Sequence, residues 1–531
     1  MALMTGGEAL VRNLAAHGTD VVFGIPGNHN LGIYEHLAAS SIRHVLARHE
    51  QGCGYSADGY ARVSGRPGVA LVTAGPAVLN ALAALGQAYS DSVPVLLLSP
   101  GMPLRHPARG NGHLHETKNQ QAAVDAVVKV SHRVTSVSEI GDAVSQAFVD
   151  MTAGRPRPVH IEVPIDVLDE FADVEIRRPV PLTKASAPPE ELTRAAALLA
   201  ESARPGIVVG GGARFAAPQI RRLAERLGAA VVTSTNGKGT LPEDHSLSLG
   251  AGAHLPAVAE WVRTRDVLVA VGTDLGSSDL WNGPWQLDGS LVRIDIDPRQ
   301  ILINARPNVA LVSDAAHALD SLLGLLGEGS TIAGSAREAT GWASRVHGEA
   351  AEEGALWHRE IQMISEVLDR DAIVAGDSAA FCYYGLRANL PLYEPASFLY
   401  PTGYGTLGYG LPAAVGAKVA APDRQVVALL GDGGVMFTIA ELASAAAERL
   451  ALPVIVVDNG GYGQIRHNMH RRGYSPLGVD IPSPDFAALG RALGCHGITI
   501  DGAEHLGEEL AKALVADRPT VLHYLEGDSP V

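Results

Sequence analysis

Three cysteines are all that 531 residues contain. Cys53, Cys382 and Cys495 stand far apart, which excludes a disulfide framework and a cysteine zinc site and fits a reducing compartment. Positive charge is also short: 41 Lys and Arg face 57 Asp and Glu, a formal net charge of −16. No block of basic residues occurs, so neither nucleic acid nor an acidic membrane is an expected partner. Long apolar runs are missing. The most apolar stretch, Val69 to Ala88, is interrupted by Gly75-Pro76 and Asn80, and reads as a buried strand plus a helix rather than a membrane span. The opening MALMTGGEALVRN has no signal-peptide apolar core, so a cytoplasmic location is expected.

What is present is core. Hydrophobic residues make up 47% of the chain, enough for about three domains at this length. Residues 1–170 alternate strand and helix patterns, with strands expected at Val21–Ile25, His44–Ala47, Val69–Thr73 and Val93–Ser99. A Pro-rich stretch, PVPLTKASAPPEEL (179–192), reads as a linker. A second block, 190–326, carries strand candidates Gly206–Val209, Ala230–Ser234, Val267–Val271 and Leu291–Ile296. A polar, Gly- and Ala-rich patch around 327–350 leads to a third block, 351–531. All three read as α/β, doubly wound on parallel sheets.

The third block holds the most informative stretch, GDGGVMFTIAELASAAAERLALPVIVVDNGGYG, from Gly431 to Gly463. Val426–Leu430 and Val454–Val457 are short apolar runs of buried parallel strands. Thr438 with Glu441 has the spacing of a capping box, so a helix is expected to start there and run to about Leu450, broken by Pro453. A strand–helix–strand unit of this kind places Asp432 and Asn459 just past neighbouring strand ends, the edge where open α/β sheets bind ligands. Carboxylate, amide and main-chain carbonyl oxygens suit Mg²⁺, which usually brings a phosphate with it. Glycines let backbone N–H groups approach that phosphate. Taken singly, Asp-Gly and Asn-Gly are also ordinary turn formers.

GDG followed by an Asn-containing turn resembles the diphosphate–Mg²⁺ motif of thiamine diphosphate enzymes. The family usually shows two Asn residues at the turn; here the first is Asp458, and the second, Asn459, is the one that serves as ligand. The resemblance implies Asp432, Asn459 and the Gly461 carbonyl as metal ligands, with Gly433, Gly434 and Tyr462 beside the cofactor. In PTGYGTLGYGLPAA (401–414), Leu407 takes the place of the bulky residue that bends the cofactor. The Gly405 carbonyl and the Leu407 N–H would meet its pyrimidine. VLARHEQGCGYSADGYARVSG is similar to the segment that carries the activating glutamate. That makes Glu50 the acid expected to hydrogen-bond a pyrimidine nitrogen, although a Glu in a first helical turn is also favoured by the helix dipole alone. In that family the glutamate reaches a cofactor held by another subunit, which implies a homodimer or a dimer of dimers.

The substrate side is expected at two loops. In GIPGNHN (24–30), Asn28 occupies the polar position that follows Pro-Gly, with His29 next to it; the same composition also fits a plain turn. GNGHLHETKNQ (110–120) looks like the segment supplying paired histidines in pyruvate decarboxylases, but Leu114 separates His113 from His115. His115 is the expected acid–base group. The Glu that pyruvate decarboxylases carry after the Asn turn is replaced here by Gln464-Ile465. NGGYGQIRHNMHRRGYSPLGVDIPSPDF is similar to a bacterial subgroup near acetolactate synthase that includes 5-guanidino-2-oxopentanoate decarboxylase. Trp281 and Trp285 read as packing anchors rather than a substrate mouth.

In the middle block, Gly210-Gly211-Gly212 follows a strand without matching GxGxxG, and no acid stands where a ribose would need one. GKGTLPEDHSLSLG and RIDIDP resemble the central domain of acetolactate-synthase-like members, some of which hold FAD or ADP and many nothing. FAD is not expected. The resemblance thus implies a thiamine diphosphate- and Mg²⁺-dependent lyase. It would decarboxylate a small-molecule 2-oxo acid through a C2 ylide and an enamine to give an aldehyde. The alternatives are carboligation of the enamine with a second carbonyl and, more remotely, a cofactor-binding homologue without turnover.

Overall fold

The structure is a computed structural model that describes residues 2–107, 110–327 and 335–526. The last residues of the third block, 527–531, and residues 328–334 of the polar patch lie outside the described residues. Three parallel sheets form, one in each expected block. The N-terminal sheet runs in space Arg43–Leu46, Val21–Gly24, Gly68–Leu71, Val95–Gly101, Val159–Pro164, Val130–Arg133. The C-terminal sheet runs Phe398–Leu399, Ile373–Gly376, Val426–Gly431, Pro453–Asp458, Thr520–Leu525, His496–Ile500. Numbered within each domain, both orders are 2-1-3-4-6-5. The five-stranded middle sheet follows 2-1-3-4-5. The strands are short, β-branched and buried on both faces, as parallel strands covered by helices must be. One addition lies outside these sheets: Ala2–Thr5 pairs antiparallel with Phe171–Val174 and closes the N-terminal domain.

The two outer domains share one hydrophobic core. Helix Glu50–Ser64 lies along helix Gly410–Ala420, and the contact is backbone to backbone. A Cβ on Gly59 would fall 2.1 Å from the Ala413 carbonyl oxygen, and one on Gly416 would fall 1.9 Å from that of Ser56. Only residues without side chains allow this approach. Leu411, Ala413 and Ala414 fill the seam against Tyr55 and Ala57.

Two local expectations are corrected. Thr438 and Glu441 form no capping box. A short helix, Asp432–Val435, opens directly after the strand, and the longer one runs only Glu441–Ala447. The Thr438 hydroxyl donates to the Gly408 carbonyl at 2.7 Å, and the Glu441 carboxylate leaves its own helix for the N-terminal domain. Pro453 is the first residue of the next strand rather than a bare breaker, a position where its missing N–H costs no ladder bond. The polar patch is largely a helix, Ser335–Glu353. Ala339, Val346 and Ala350 turn one face of it into the middle core. Its other face is polar, and its two glycines mask the period.

Candidate active site

At the C-terminal edge of the C-terminal sheet three adjacent strands each bring an aspartate: Asp377 and Asp432 just past their strands, and Asp458 as the last residue of the next. Asp377 and Asp432 flank the point where strand order reverses, the crevice in which such sheets receive ligands. Asp432 opens its short helix and is 5% exposed. Its Oδ2 accepts from the Gly461 N–H at 2.6 Å and from the Ser483 hydroxyl at 3.2 Å. Burial, reinforced by the neighbouring Asp458, pushes its carboxyl up to about 6. Burial acts on Asp458 in the same sense, but the Ser483 hydroxyl at 2.6 Å, His523 at 2.9 Å and the Gly460 N–H outweigh it and hold that carboxyl below the ordinary range.

Asn459 follows Asp458, and its side-chain oxygen is buried without a hydrogen-bond partner. Gly461, at φ 137°, sits so close to the Val479 carbonyl that a Cβ would lie 2.0 Å from it, so the turn requires glycine. The Tyr462 ring covers Gly433, 2.7 Å from where its Cβ would be. A buried carboxylate that burial and a second carboxylate disfavour, beside an orphaned amide oxygen, is an oxygen set suited to a positive charge. Asp432, the Asn459 Oδ1 and the Gly461 carbonyl could hold a hard divalent cation, and the glycines of 432–434 leave room for the diphosphate that such a cation brings. Among the described residues no group of three or more His, Cys, Asp or Glu is arranged for a metal. The oxygen set here has one carboxylate and completes itself with an amide and the main chain.

The loop Pro401–Gly408 lies over this edge. Gly405, at φ 65°, is exposed with nothing near the space a Cβ would take, and Leu407 is half-buried 3.8 Å from the Cβ position of Gly434. The loop is held from both domains. On its own side, the Gly408 N–H donates to Asp377 at 2.9 Å. Asp377 is fully buried, and burial pushes its carboxyl up to about 6 against the amides of Ser378, Gly410, Gly408 and Tyr409. From the N-terminal domain, Asp91 accepts from the Thr402 and Gly403 N–H groups at 3.2 and 2.9 Å, and Tyr55 lies 2.5 Å from the Thr406 hydroxyl. The buried Arg62 joins these anchors by pairing with Asp91 at 2.8 Å and with Asp58 at 2.6 Å; Asp58 also accepts from the Tyr409 hydroxyl.

The N-terminal domain presents different chemistry. Asn28 is exposed at the start of a 3₁₀ turn, and the loop is locked by Asn30, which bonds Gly27 at 2.7 Å and Ile25 at 3.1 Å. The His29 ring packs 4.8 Å from His115 and 6.4 Å from His113. Burial, then the two histidines beside it, lowers the His29 pKa, so it is neutral at pH 7. The Nδ1 atoms of both His29 and His115 are buried without hydrogen-bond partners. His115 adopts φ 62°, and its carbonyl presses on Gly75. The Glu116 carboxylate gathers the Gly110, Gly112 and His113 amides, and Gln120 accepts from the Gly75 N–H at 2.7 Å. Glu50 opens its helix, half-buried, and its Oε2 accepts from Asn80 at 3.0 Å. Among the described residues, no hydrogen bond or ion pair links Glu50 to Asp432, Asn459 or Leu407.

Several residues here lay outside the expected set: Asp377, Ser483, Glu441, Arg62, Asp91 and Gln120. Asp377 had a readable signal, because Gly376-Asp377-Ser378 repeats after one strand what Gly431-Asp432-Gly433 does after another. The tryptophans behave as packing anchors: Trp281 is stacked under Arg387 at 3.9 Å and beside His254, and the Trp285 N–H donates to the Ala253 carbonyl. In the middle domain, Gly210 and Gly212 pack against the backbone of Gly272; Cβ atoms there would lie 2.1 and 3.0 Å from it.

Comparison with known proteins matches all three domains. Residues 4–123 match the thiamine pyrophosphate enzyme N-terminal TPP binding domain, 192–322 the central domain and 381–524 the C-terminal TPP binding domain. The chain is 42% identical over 510 residues to a probable 2-ketoarginine decarboxylase AruI of Pseudomonas aeruginosa, covering 93% of this chain and 89% of that one. It is 32% identical over 558 residues to a probable acetolactate synthase large subunit of Methanocaldococcus jannaschii (98% and 91% covered). It is 34% identical over 555 residues to the acetolactate synthase large subunit of Parasynechococcus marenigrum (99% and 88%). Three matched domains in the family's order, with these relatives along nearly the whole chain, make this protein a member of the thiamine pyrophosphate enzyme family.

Proposed function

We propose that the protein is a thiamine diphosphate- and Mg²⁺-dependent, non-oxidative decarboxylase of a 2-oxo acid with a guanidino-bearing chain, releasing CO₂ and an aldehyde. When bound, the cofactor supplies the carbon nucleophile and the electron sink that let the carboxylate leave. The chain's own residues do the rest. Asp432, Asn459 and the Gly461 carbonyl would hold the cation that accompanies the diphosphate. Leu407 and Gly405 would lie against the cofactor's pyrimidine side. Glu50 would hydrogen-bond a pyrimidine nitrogen and govern the first proton transfer. Among the described residues no hydrogen bond or ion pair joins the Glu50 carboxylate to the Asp432 edge of its own chain, and the reading includes a second copy whose C-terminal domain faces it.

The observation that carries decarboxylation is the His29–His115 pair, 4.8 Å apart with both Nδ1 atoms buried and unpartnered. An imidazole pair with free nitrogens can relay a proton to the carbon that has lost CO₂. Similarity to a probable 2-ketoarginine decarboxylase at 42% identity supports the same outcome and the substrate class. The acetolactate synthase relatives favour a second reading, in which a second 2-oxo acid takes the place of the proton.

The test is product analysis by mass spectrometry. The holoenzyme is incubated with a panel of 2-oxo acids that includes 5-guanidino-2-oxopentanoate, with Glu50→Gln as control. An aldehyde one carbon shorter than the panel member is expected; an acetohydroxy acid would establish the second reading instead.

A further inference from the structure

Glu441 is 1% exposed, and its carboxylate serves no purpose within its own domain beyond a 2.7 Å bond from Ser444. It reaches instead into the N-terminal domain. Its Oε1 accepts from the N–H groups of Arg48 and His49, each at 3.0 Å, and its Oε2 from Arg48 at 3.2 Å. These are the two residues directly before Glu50, at the open end of helix Glu50–Ser64. The first N–H groups of a helix lack partners within it and attract negative charge. Here a carboxylate from another domain, 393 residues along the chain from Arg48, satisfies the donors that lead into the helix. The site is shaped for it: a Cβ on Gly52 would lie 2.2 Å from the Glu441 Oε1. Burial raises the Glu441 pKa, against the Ser444 hydroxyl and the Arg48 and His49 amides. The Cys53 thiol, one turn into the helix, is pushed up by burial, then by Glu441, then by Glu50, so it lies in the field of both carboxylates.

We propose that Glu441 is the positioning residue for Glu50. It fixes the main chain from which Glu50 projects while Asn80 fixes the carboxylate at the far end. Charge-assisted bonds to two successive amides fix direction as well as distance. The C-terminal domain, which carries the Asp432 edge, thereby sets the attitude of the acid in the N-terminal domain. This inference rests on the reading of Glu50 as the activating acid.

The test reads the step that Glu50 governs. In the holoenzyme, hydrogen–deuterium exchange at the thiazolium C2 of bound thiamine diphosphate is measured by acid quench and NMR, with cofactor affinity and melting temperature in parallel. Glu441→Gln removes the charge, and Gly52→Ala displaces the carboxylate without altering it. Both are expected to slow C2 exchange by about tenfold to a hundredfold with cofactor still bound, and Glu441→Asp by less. In the cofactor-free protein, both are expected to speed amide exchange at 48–49. C2 exchange within about twofold of the parent in either folded, cofactor-bound variant overturns the proposal, and should Glu441→Gln fail to fold, Gly52→Ala decides. Unchanged exchange in Glu50→Gln would instead remove the activation reading, and this proposal with it. Slowed exchange in Glu50→Gln with parental exchange in the other two removes this proposal alone.

Discussion

The N- and C-terminal domains are the same sheet built twice, with strand order 2-1-3-4-6-5 in both, yet their corresponding loops carry opposite chemistry. After the first strand one has Asn28 and His29, the other Asp377. After the second, one has Glu50 and the other the Gly405–Leu407 loop. After the third, a Gly75 turn faces Asp432. After the fourth, the His113–His115 loop faces Asp458 and Asn459. The lesson is that topology chooses the places and the residue just past each strand chooses the task. The C-terminal edge gathers carboxylates, two of them raised to about 6 mainly by burial, and a cation at Asp432 would favour its ionised form. The N-terminal edge gathers imidazoles and the carboxylates of Glu50 and Glu116, a set suited to moving protons.

That division can be broken from either side. The largest effect is expected at the N-terminal edge: under the proposed function, Glu50→Gln lowers turnover on the order of 10²- to 10⁴-fold while thiamine diphosphate still binds, measured by steady-state kinetics beside a cofactor titration. Loss of binding in parallel with activity would move Glu50 into the binding side of the comparison.

The seam comes next. Asp91→Ala leaves Arg62 buried with one carboxylate fewer and releases the Thr402 and Gly403 amides. A loss of about 3 kcal/mol in unfolding free energy is expected, read by chemical denaturation, together with weaker cofactor binding because the Leu407 loop comes free.

A third probe uses pH. The Asp377 carboxyl is raised in the fold from 3.8 to about 6, with burial the cause. The folded protein therefore keeps this proton where the unfolded chain has lost it. The stabilising contribution is full below pH 4, falls as pH rises towards 6, and is gone above it, a change of about 2–3 kcal/mol. Asp377→Asn should flatten that part of the stability–pH curve of the cofactor-free protein. A curve of unchanged slope would assign the proton elsewhere. The smallest expected effect is at the other carboxylate: Asp432→Asn should weaken Mg²⁺-dependent thiamine diphosphate binding by about 10- to 100-fold, checked by calorimetry with and without the metal.

Much of this was legible in the sequence, and the pattern of success has a physical reason. Val267–Val271 was read to the residue and most other anticipated strands to within two, because an apolar β-branched run bounded by polar turns leaves a parallel strand few other places to be. The family match followed from residues whose chemistry is local, Asp432 and Asn459 among glycines. Glu441 was not legible. Its three-residue spacing from Thr438 satisfies a local rule, but the amides it binds are nearly four hundred residues distant, and no window sees both. Arg62 and Asp91 were missed for the same reason, since Arg62 also donates to Asn236 of the middle domain and Asp91 accepts from Thr402 and Gly403 of the C-terminal domain. Helix Ser335–Glu353 was hidden because two glycines and a polar face dilute a narrow apolar stripe.

The reciprocal glycine contact between helices Glu50–Ser64 and Gly410–Ala420 bears on anyone recombining members of this family. The Pro-rich linker near residue 180 looks like the natural place to cut and splice. Yet Gly59 lies against the Ala413 backbone and Gly416 against that of Ser56, and neither position tolerates a methyl group of its own. A chimera that takes its first domain from one parent and its last from another must therefore inherit these two positions as a matched set. The unit of exchange in this molecule is a pair of domains lying at opposite ends of the chain.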